Sequence, residues 1–130
     1  MDKKVVRTGA FQDYIAEAVK CGNNLYLSGQ VSLDEEGNLV GEGDMKAQVN
    51  KAYQNIAELL SHFQVSMDNI VDETWFVTDM QHTRENLDEL FELRQKHYGS
   101  FPEVANTVVE VKSLVMPRLM IEIKCIAQVE

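Results

Sequence analysis

The sequence predicts an α+β domain in which one sheet carries two helices on a single face, in the order β-β-α-β-α-β-β. Three observations carry this reading. Apolar residues recur at spacings of three and four from Met45 to Phe63, the period of a helix. A run rich in β-branched and aromatic residues fills Ile70 to Met80. Met120 to Val129 alternates residue by residue, the period of a strand. The 130 residues suffice for one domain with a core, and residues 1–130 are read as a single domain.

The apolar-leaning run from Ala16 to Cys21 closes at Gly22-Asn23-Asn24, and Leu25-Tyr26-Leu27 resumes an extended pattern. Gly and Asn between two such runs signal a hairpin. Further turns fall at Asp34–Asn38 and at Gly41-Glu42-Gly43. Asp44 is placed to cap the first helix, since its carboxylate can accept orphan N–H groups of the first turn. Met45, Val49, Ala52, Tyr53, Ile56, Leu60 and Phe63 then form one apolar stripe, which Ser66-Met67-Asp68-Asn69 breaks. After the Ile70 strand, Leu87, Leu90, Phe91, Arg94 and Tyr98 space a second helix that Gly99 stops. Val104–Val111 and Met120–Val129 are the last two strands, with Pro117 just ahead of the final one, where a missing N–H does little harm. Lys3-Lys4 lies at a terminus expected to be mobile. Two helices cover only one face of a sheet, so the apolar content of the other face predicts self-association through it or through the sheet edges.

Composition excludes several classes of function. Twelve Lys and Arg stand against 21 Asp and Glu, a net charge of -9, with no basic run to engage a phosphate backbone, so no nucleic-acid partner is expected. No apolar stretch approaches the roughly 18 residues of a membrane helix, and no membrane partner is expected. The stretch Met1–Arg7 lacks the apolar core of a signal peptide, which makes the cytoplasm the expected location. Cys21 and Cys125 are far apart and form no CxxC, and both read as small buried hydrophobes. His62, His82 and His97 do not pair at ligand spacing, and no Gly-rich phosphate loop is present, so neither a metal nor a cofactor is expected.

Two segments stand out chemically. Ser28-Gly29-Gln30 follows an apolar strand and puts a glycine where a strand favours a side chain. That marks a strand-end turn, a bulge, or the close approach of a ligand to backbone. Glu122 is an acid between Ile121 and Ile123 in the apolar terminal strand. It either faces solvent or lines a cleft between subunits, where desolvation would raise its pKa and suit it to general acid–base work. Asn106-Thr107 on the preceding strand could converge on the same cleft.

These segments together resemble the Rid family, also called the YjgF/L-PSP family, over nearly the whole chain. Leu25-Tyr26-Leu27-Ser28-Gly29-Gln30-Val31 with Asp34 and Gly37 is similar to the family's "hydrophobic-SGQ-x-x-D-x-x-G" segment. Gln48 and Asn55 match its Q-x6-N spacing, Trp75-Phe76-Val77-Thr78-Asp79-Met80 its T-D-M strand, and Ile121–Ala127 its C-terminal "IEIxxIA". The resemblance implies a chorismate-mutase-like fold and a homotrimer with ligand clefts between subunits. It also implies hydrolysis of reactive enamines and imines to keto acids and ammonia, with an Arg on the substrate carboxylate and a Glu on the last strand handling water.

On that resemblance the site comprises Glu122 for water activation or positioning, with Asn106, Thr107, Ser28, Gly29, Asn86 and Tyr14 binding substrate. The family's cleft Tyr falls at Ile15 in an ungapped count, with Tyr14 beside it. The chain departs from the pattern at the Arg. Counting back from Val109-Glu110-Val111 puts Asn106 in its place, with two extra residues after Pro102. An amide offers neutral hydrogen bonds where a guanidinium offers a charged, bidentate clamp. Arg118 and Lys112 are the nearby cations that could substitute. Two readings stay open: a hydrolase for an imine or enamine lacking the usual carboxylate, and a non-catalytic metabolite-binding or regulatory trimer. The family's endoribonuclease and translation-inhibitor label is disfavoured by the negative charge and the lack of a basic-aromatic platform.

Overall fold

A computed structural model describes residues 1–130. The elements are β1 (Lys4–Val6), β2 (Ala18–Cys21), β3 (Asn24–Leu27), β4 (Gln30–Val31), α1 (Met45–Ser61), β5 (Ile70–Val77), α2 (Met80–Glu85), α3 (Leu87–Tyr98), β6 (Ala105–Glu110) and β7 (Ile121–Gln128), with a 3-10 turn at Met67–Asn69. They form one seven-stranded sheet in the order β1-β2-β3-β7-β5-β6, and β4 pairs with the start of β7. Only β5 and β6 run parallel. The chain between them supplies α2 and α3, the crossover a parallel pair requires. The mixed α+β architecture is the one the sequence predicts.

Three details differ from the sequence reading. Lys4 does not sit in a mobile terminus. It opens β1, where Val5 pairs with Val19, and its ammonium lies 5.4 Å from the Phe63 ring centroid. Three residues are too few to show an alternation, so β1 left no signal in the sequence. The short β4 was also unseen, because the interruption at Ser28-Gly29 splits what reads as one strand. The second helix is two helices, broken at Asn86, whose side-chain amide donates to the His82 carbonyl at 2.8 Å. Its end behaves as expected: Gly99 takes φ +82°, open to a residue without Cβ, and its N–H bonds the Gln95 carbonyl.

Helix α1 starts at Asp44, whose carboxylate accepts from the Ala47 N–H at 3.1 Å. Its stripe buries Val49, Ala52, Tyr53, Ile56 and Leu60 completely. They pack with the inward residues of β7, namely Ile121, Ile123, Cys125 and Ala127, and with Trp75 of β5. Cys125 is a free thiol in this core, and burial pushes its pKa up; Cys21 is also free and only half-buried. Gln48 and Asn55, two helical turns apart on one side of α1, act as loop ties. Gln48 Nε2 donates to the carbonyls of Gly41 and Arg118, and its Oε1 accepts from the Met120 N–H at 2.8 Å. Asn55 Nδ2 donates to the carbonyls of Val31 and Leu33. Both Q-x6-N positions thus serve the loops that flank the sheet.

The opposite face of the sheet carries no helix. Cross-strand partners share a face, so Val5, Val19, Tyr26 and Ile126 form one continuous apolar row across β1, β2, β3 and β7. Tyr26 is 43% exposed and Val5 44% exposed there. No helix is long and apolar enough to cross a membrane.

Candidate functional site

The helix-free face brings the last strand against the Ser-Gly-Gln segment. Ser28 is pinned first: its Oγ donates to the Ala16 carbonyl at 2.7 Å, and its N–H bonds the Glu17 carbonyl at 2.8 Å. Gln30 Nε2 donates to Glu17 Oε2 at 2.8 Å and to the Ser28 carbonyl at 3.0 Å. Between them, Gly29 lies under the Glu122 carboxylate. A Cβ built on Gly29 would occupy the space of Glu122 Oε2 and come within 2.6 Å of its Cδ. The segment is a break between β3 and β4, and the group that closely approaches the Gly29 backbone is the Glu122 side chain of the chain itself.

Glu122 pairs in register with Phe76 of β5 and Val31 of β4. It is half-buried, and burial raises its pKa above the ordinary carboxylate value, an effect Lys124 partly opposes. No hydrogen bond contributes to that balance. Lys124, two residues on and on the same face, donates from Nζ to the Leu27 carbonyl at 2.6 Å. The carboxyl is therefore partly desolvated, free of side-chain hydrogen-bond partners, and seated in the space that the glycine leaves open. Thr107 stands on the same face, opposite Thr74, which in turn faces Lys124.

Asn106 does not join this group within the chain. Val109 is the β6 residue level with Phe76 and Glu122, and Asn106, three residues earlier, projects to the opposite, helix-covered side. The expected convergence of Asn106 with Glu122 is thus corrected by strand parity. Asn106 Nδ2 instead donates to Glu73 Oε2 at 2.7 Å. Asn86 sits at the α2–α3 break with its amide engaged by His82. Tyr14 is 83% exposed in the loop between β1 and β2, away from these contacts. Arg118 is paired with Glu42 at 3.0 Å on the surface, and Lys112 is exposed with no ion pair.

The sequence reading missed Glu73. Its side chain is fully buried beside Trp75. Oε1 accepts from the hydroxyls of Tyr53 and Tyr98, each at 2.8 Å, and Oε2 from Arg94 Nε at 2.5 Å as well as from Asn106. Trp75 Nε1 donates to the Tyr53 oxygen at 3.0 Å, which extends the network. Burial and the neighbouring carboxylate push both tyrosine pKa values up. Burial works against the Arg94 charge, and Glu73 outweighs it, so the Arg94 pKa is raised. His97 stacks on Tyr53 and lies 2.7 Å from Asn50 Oδ1; burial lowers its pKa. A signal for this cluster exists in the sequence: Arg94 falls on the apolar stripe of its helix, and Glu73 shares strand parity with Trp75 and Val77.

A sheet covered by helices on one side, with an unpartnered acid seated over a glycine on the other, defines an α+β protein whose open sheet face carries the candidate site. Comparison with known proteins gives the family. The model described as Endoribonuclease L-PSP matches residues 5–129, and the chain belongs to that family, the YjgF/L-PSP or Rid family. A RutC family protein of Pyrococcus abyssi is 28% identical over 116 residues, 88% of this chain and 86% of that one. The crystal structure of YyfA, a Rid-family protein of Yersinia pestis, superposes with a TM-score of 0.85 at 25% identity, covering 98% of this chain and 100% of that one. Escherichia coli TdcF, solved with bound serine, superposes with a TM-score of 0.80 at 20% identity, covering 95% of this chain and 94% of that one.

Proposed function

We propose that the chain hydrolyses a small imine or enamine in a cleft on the open sheet face, completed by a neighbouring copy in a homotrimer, with Glu122 handling water. The observation that carries this is the Glu122 carboxyl, half-buried against Gly29 with a raised pKa and no hydrogen-bond partner. Such a group can take a proton from water as the oxygen attacks the imine carbon and pass it to the nitrogen, then relay the carbinolamine hydroxyl proton to the same nitrogen as the C–N bond breaks, leaving carbonyl product and ammonia. Gly29 adjoins the carboxyl, and Thr107, two strands away on the same face, is the hydroxyl this reading assigns to the substrate. The apolar row of the open face supports association through that face. That TdcF was solved with bound serine supports a small metabolite as the class of ligand.

The charge pattern narrows the substrate. Arg94 is consumed by Glu73, Arg118 by Glu42, and Lys124 donates to a carbonyl. Within one copy no guanidinium is seated beside Glu122, which favours a substrate without a carboxylate unless the neighbouring copy supplies the clamp. In an assay where an oxidase or dehydratase generates imines and semicarbazide competes for them, the wild type is expected to speed imine loss. Glu122→Gln is expected to lower the rate by about 10²-fold or more. Full turnover by Glu122→Gln would overturn the mechanism.

The same lack of a free guanidinium favours a second reading, a trimer that binds a metabolite without turning it over. A ligand that raises the melting temperature of wild type but is recovered unchanged would select this reading. The ribonuclease named in the family model's description is disfavoured for this chain by its net charge of -9.

A further inference from the structure

A cleft of about 420 Å³ opens between the loop preceding β2, the segment Gly29–Glu35 and the C-terminal half of α1. Glu122 is not among its lining residues. The volume suits a small ligand. Phe11, Ile15, Leu33 and Leu59 supply apolar walls, whereas Glu17, Asp34, Glu35 and Glu58 supply four carboxylates. His62 completes the rim, and no Lys or Arg lines the cleft. Lys51 acts on Asp34 from outside, and the Asn38 N–H, with lesser help from Lys51, holds the Asp34 carboxyl below its ordinary pKa.

Glu17 distinguishes this cleft from a solvated acidic surface. It is only 8% exposed, with Oε2 engaged by Gln30. Its Oε1 has no protein donor, yet every fully enclosed side-chain oxygen of the chain has a partner. Glu17 Oε1 is therefore not fully enclosed, and the residue lines the cleft. A buried carboxylate oxygen with no internal donor favours a charged donor from outside. The acids do not converge as a metal-holding group, so the fitting cation is organic and spreads over the apolar walls.

We propose that this cleft binds a primary organic ammonium with a short apolar or aromatic body, the –NH3⁺ donating to Glu17 Oε1 and the body lying against Phe11, Ile15, Leu33 and Leu59. Carboxylates and phosphates of the same shape are excluded by the four acids. The cleft adjoins the Glu122 region at Gly29, but its recognition rests on Glu17 and does not depend on Glu122 acting as a catalyst.

The test is an amide-resolved NMR titration of the full chain with 2-phenylethylammonium, its neutral isostere 2-phenylethanol and the anion 3-phenylpropionate. The ammonium is expected to saturate, shifting the amides of Gly9, Leu33 and Leu59. It should bind at least about tenfold more tightly than the alcohol, with no binding of the anion. Glu17→Gln, which keeps an acceptor for Gln30, is expected to weaken the ammonium by about tenfold or more. Glu58→Gln, on the exposed side of α1, is expected to weaken it severalfold, and decides the matter with the isostere comparison if Glu17→Gln does not fold. Equal affinity for ammonium and alcohol, undiminished binding by both variants, or shifts confined to Glu122, Thr107 and their neighbours would overturn the proposal.

Discussion

Glu73 sets the most severe test of the buried architecture. Its two oxygens receive four hydrogen bonds, and the Arg94 side chain beside it is 11% exposed. Glu73→Gln removes the charge that compensates a buried guanidinium. If the amide oxygen keeps the two tyrosines, the new NH2 faces two donors, Arg94 and Asn106. Losing hydrogen bonds to a charged acceptor while leaving a buried charge unpaired costs about 3–5 kcal/mol. That is a large part of the roughly 5–15 kcal/mol that holds a domain folded. For a chain of this size it lowers the melting temperature by about 10–20 °C. Urea unfolding followed by the fluorescence of Trp75, the single tryptophan and a member of the same network, measures it directly. Replacing both charges, as Glu73→Met with Arg94→Met, removes the orphaned guanidinium and is expected to give a more stable protein than Glu73→Met alone. A Glu73→Gln variant within about 1 kcal/mol of wild type, or a double variant destabilised by the sum of its singles, would refute the reasoning.

The other expectations concern the loops and the site. Gln48→Ala breaks three hydrogen bonds at a fully buried position and is expected to cost about 2–4 kcal/mol, seen as a lower urea midpoint with unchanged m-value. Asn106→Arg projects its guanidinium to the helix-covered side, so it is expected to leave imine turnover unimproved; a gain in rate would show that residue 106 reaches the reaction. The raised pKa of Glu122 means the folded state holds that proton more tightly than the unfolded state. Stability from this group is therefore lost as pH rises from the ordinary carboxylate range through the raised value. Because the group is half-exposed, the loss is held below about 1 kcal/mol by solvent screening. Unfolding midpoints from pH 4 to 8 should fall more steeply for wild type than for Glu122→Gln; parallel profiles would contradict this.

The parts of the fold that were legible in the sequence are those with a period. The α1 stripe, the β7 alternation, the Asp44 cap and the Gly99 stop are local signals, and each is realised. What escaped depends on partners distant in sequence. β1 exists because β2 lies beside it, and β4 because β7 has room at its start. The α2–α3 break falls at Asn86, whose side chain takes the His82 carbonyl. At the site, Ser28, Gly29 and Glu122 were legible because a glycine in a strand and an acid between isoleucines both violate local expectation. Lys124 was equally legible by parity and was passed over. Asn106 was misplaced relative to Glu122 because a resemblance aligns positions along the chain and does not register which side of a strand each one faces.

The central claim is that Gly29 makes room for Glu122 and thereby holds its carboxyl out of water. Site-specific 13C NMR titration of the Glu122 carboxyl, in wild type and in Gly29→Ala, tests it most directly. Wild-type Glu122 is expected to titrate above the ordinary carboxylate range. In Gly29→Ala the added methyl must displace the carboxylate, a shift the flexible side chain can make without unfolding the protein, and the titration is expected to fall back toward the ordinary range. An ordinary pKa in wild type, or a raised one that Gly29→Ala leaves unchanged, would contradict the account.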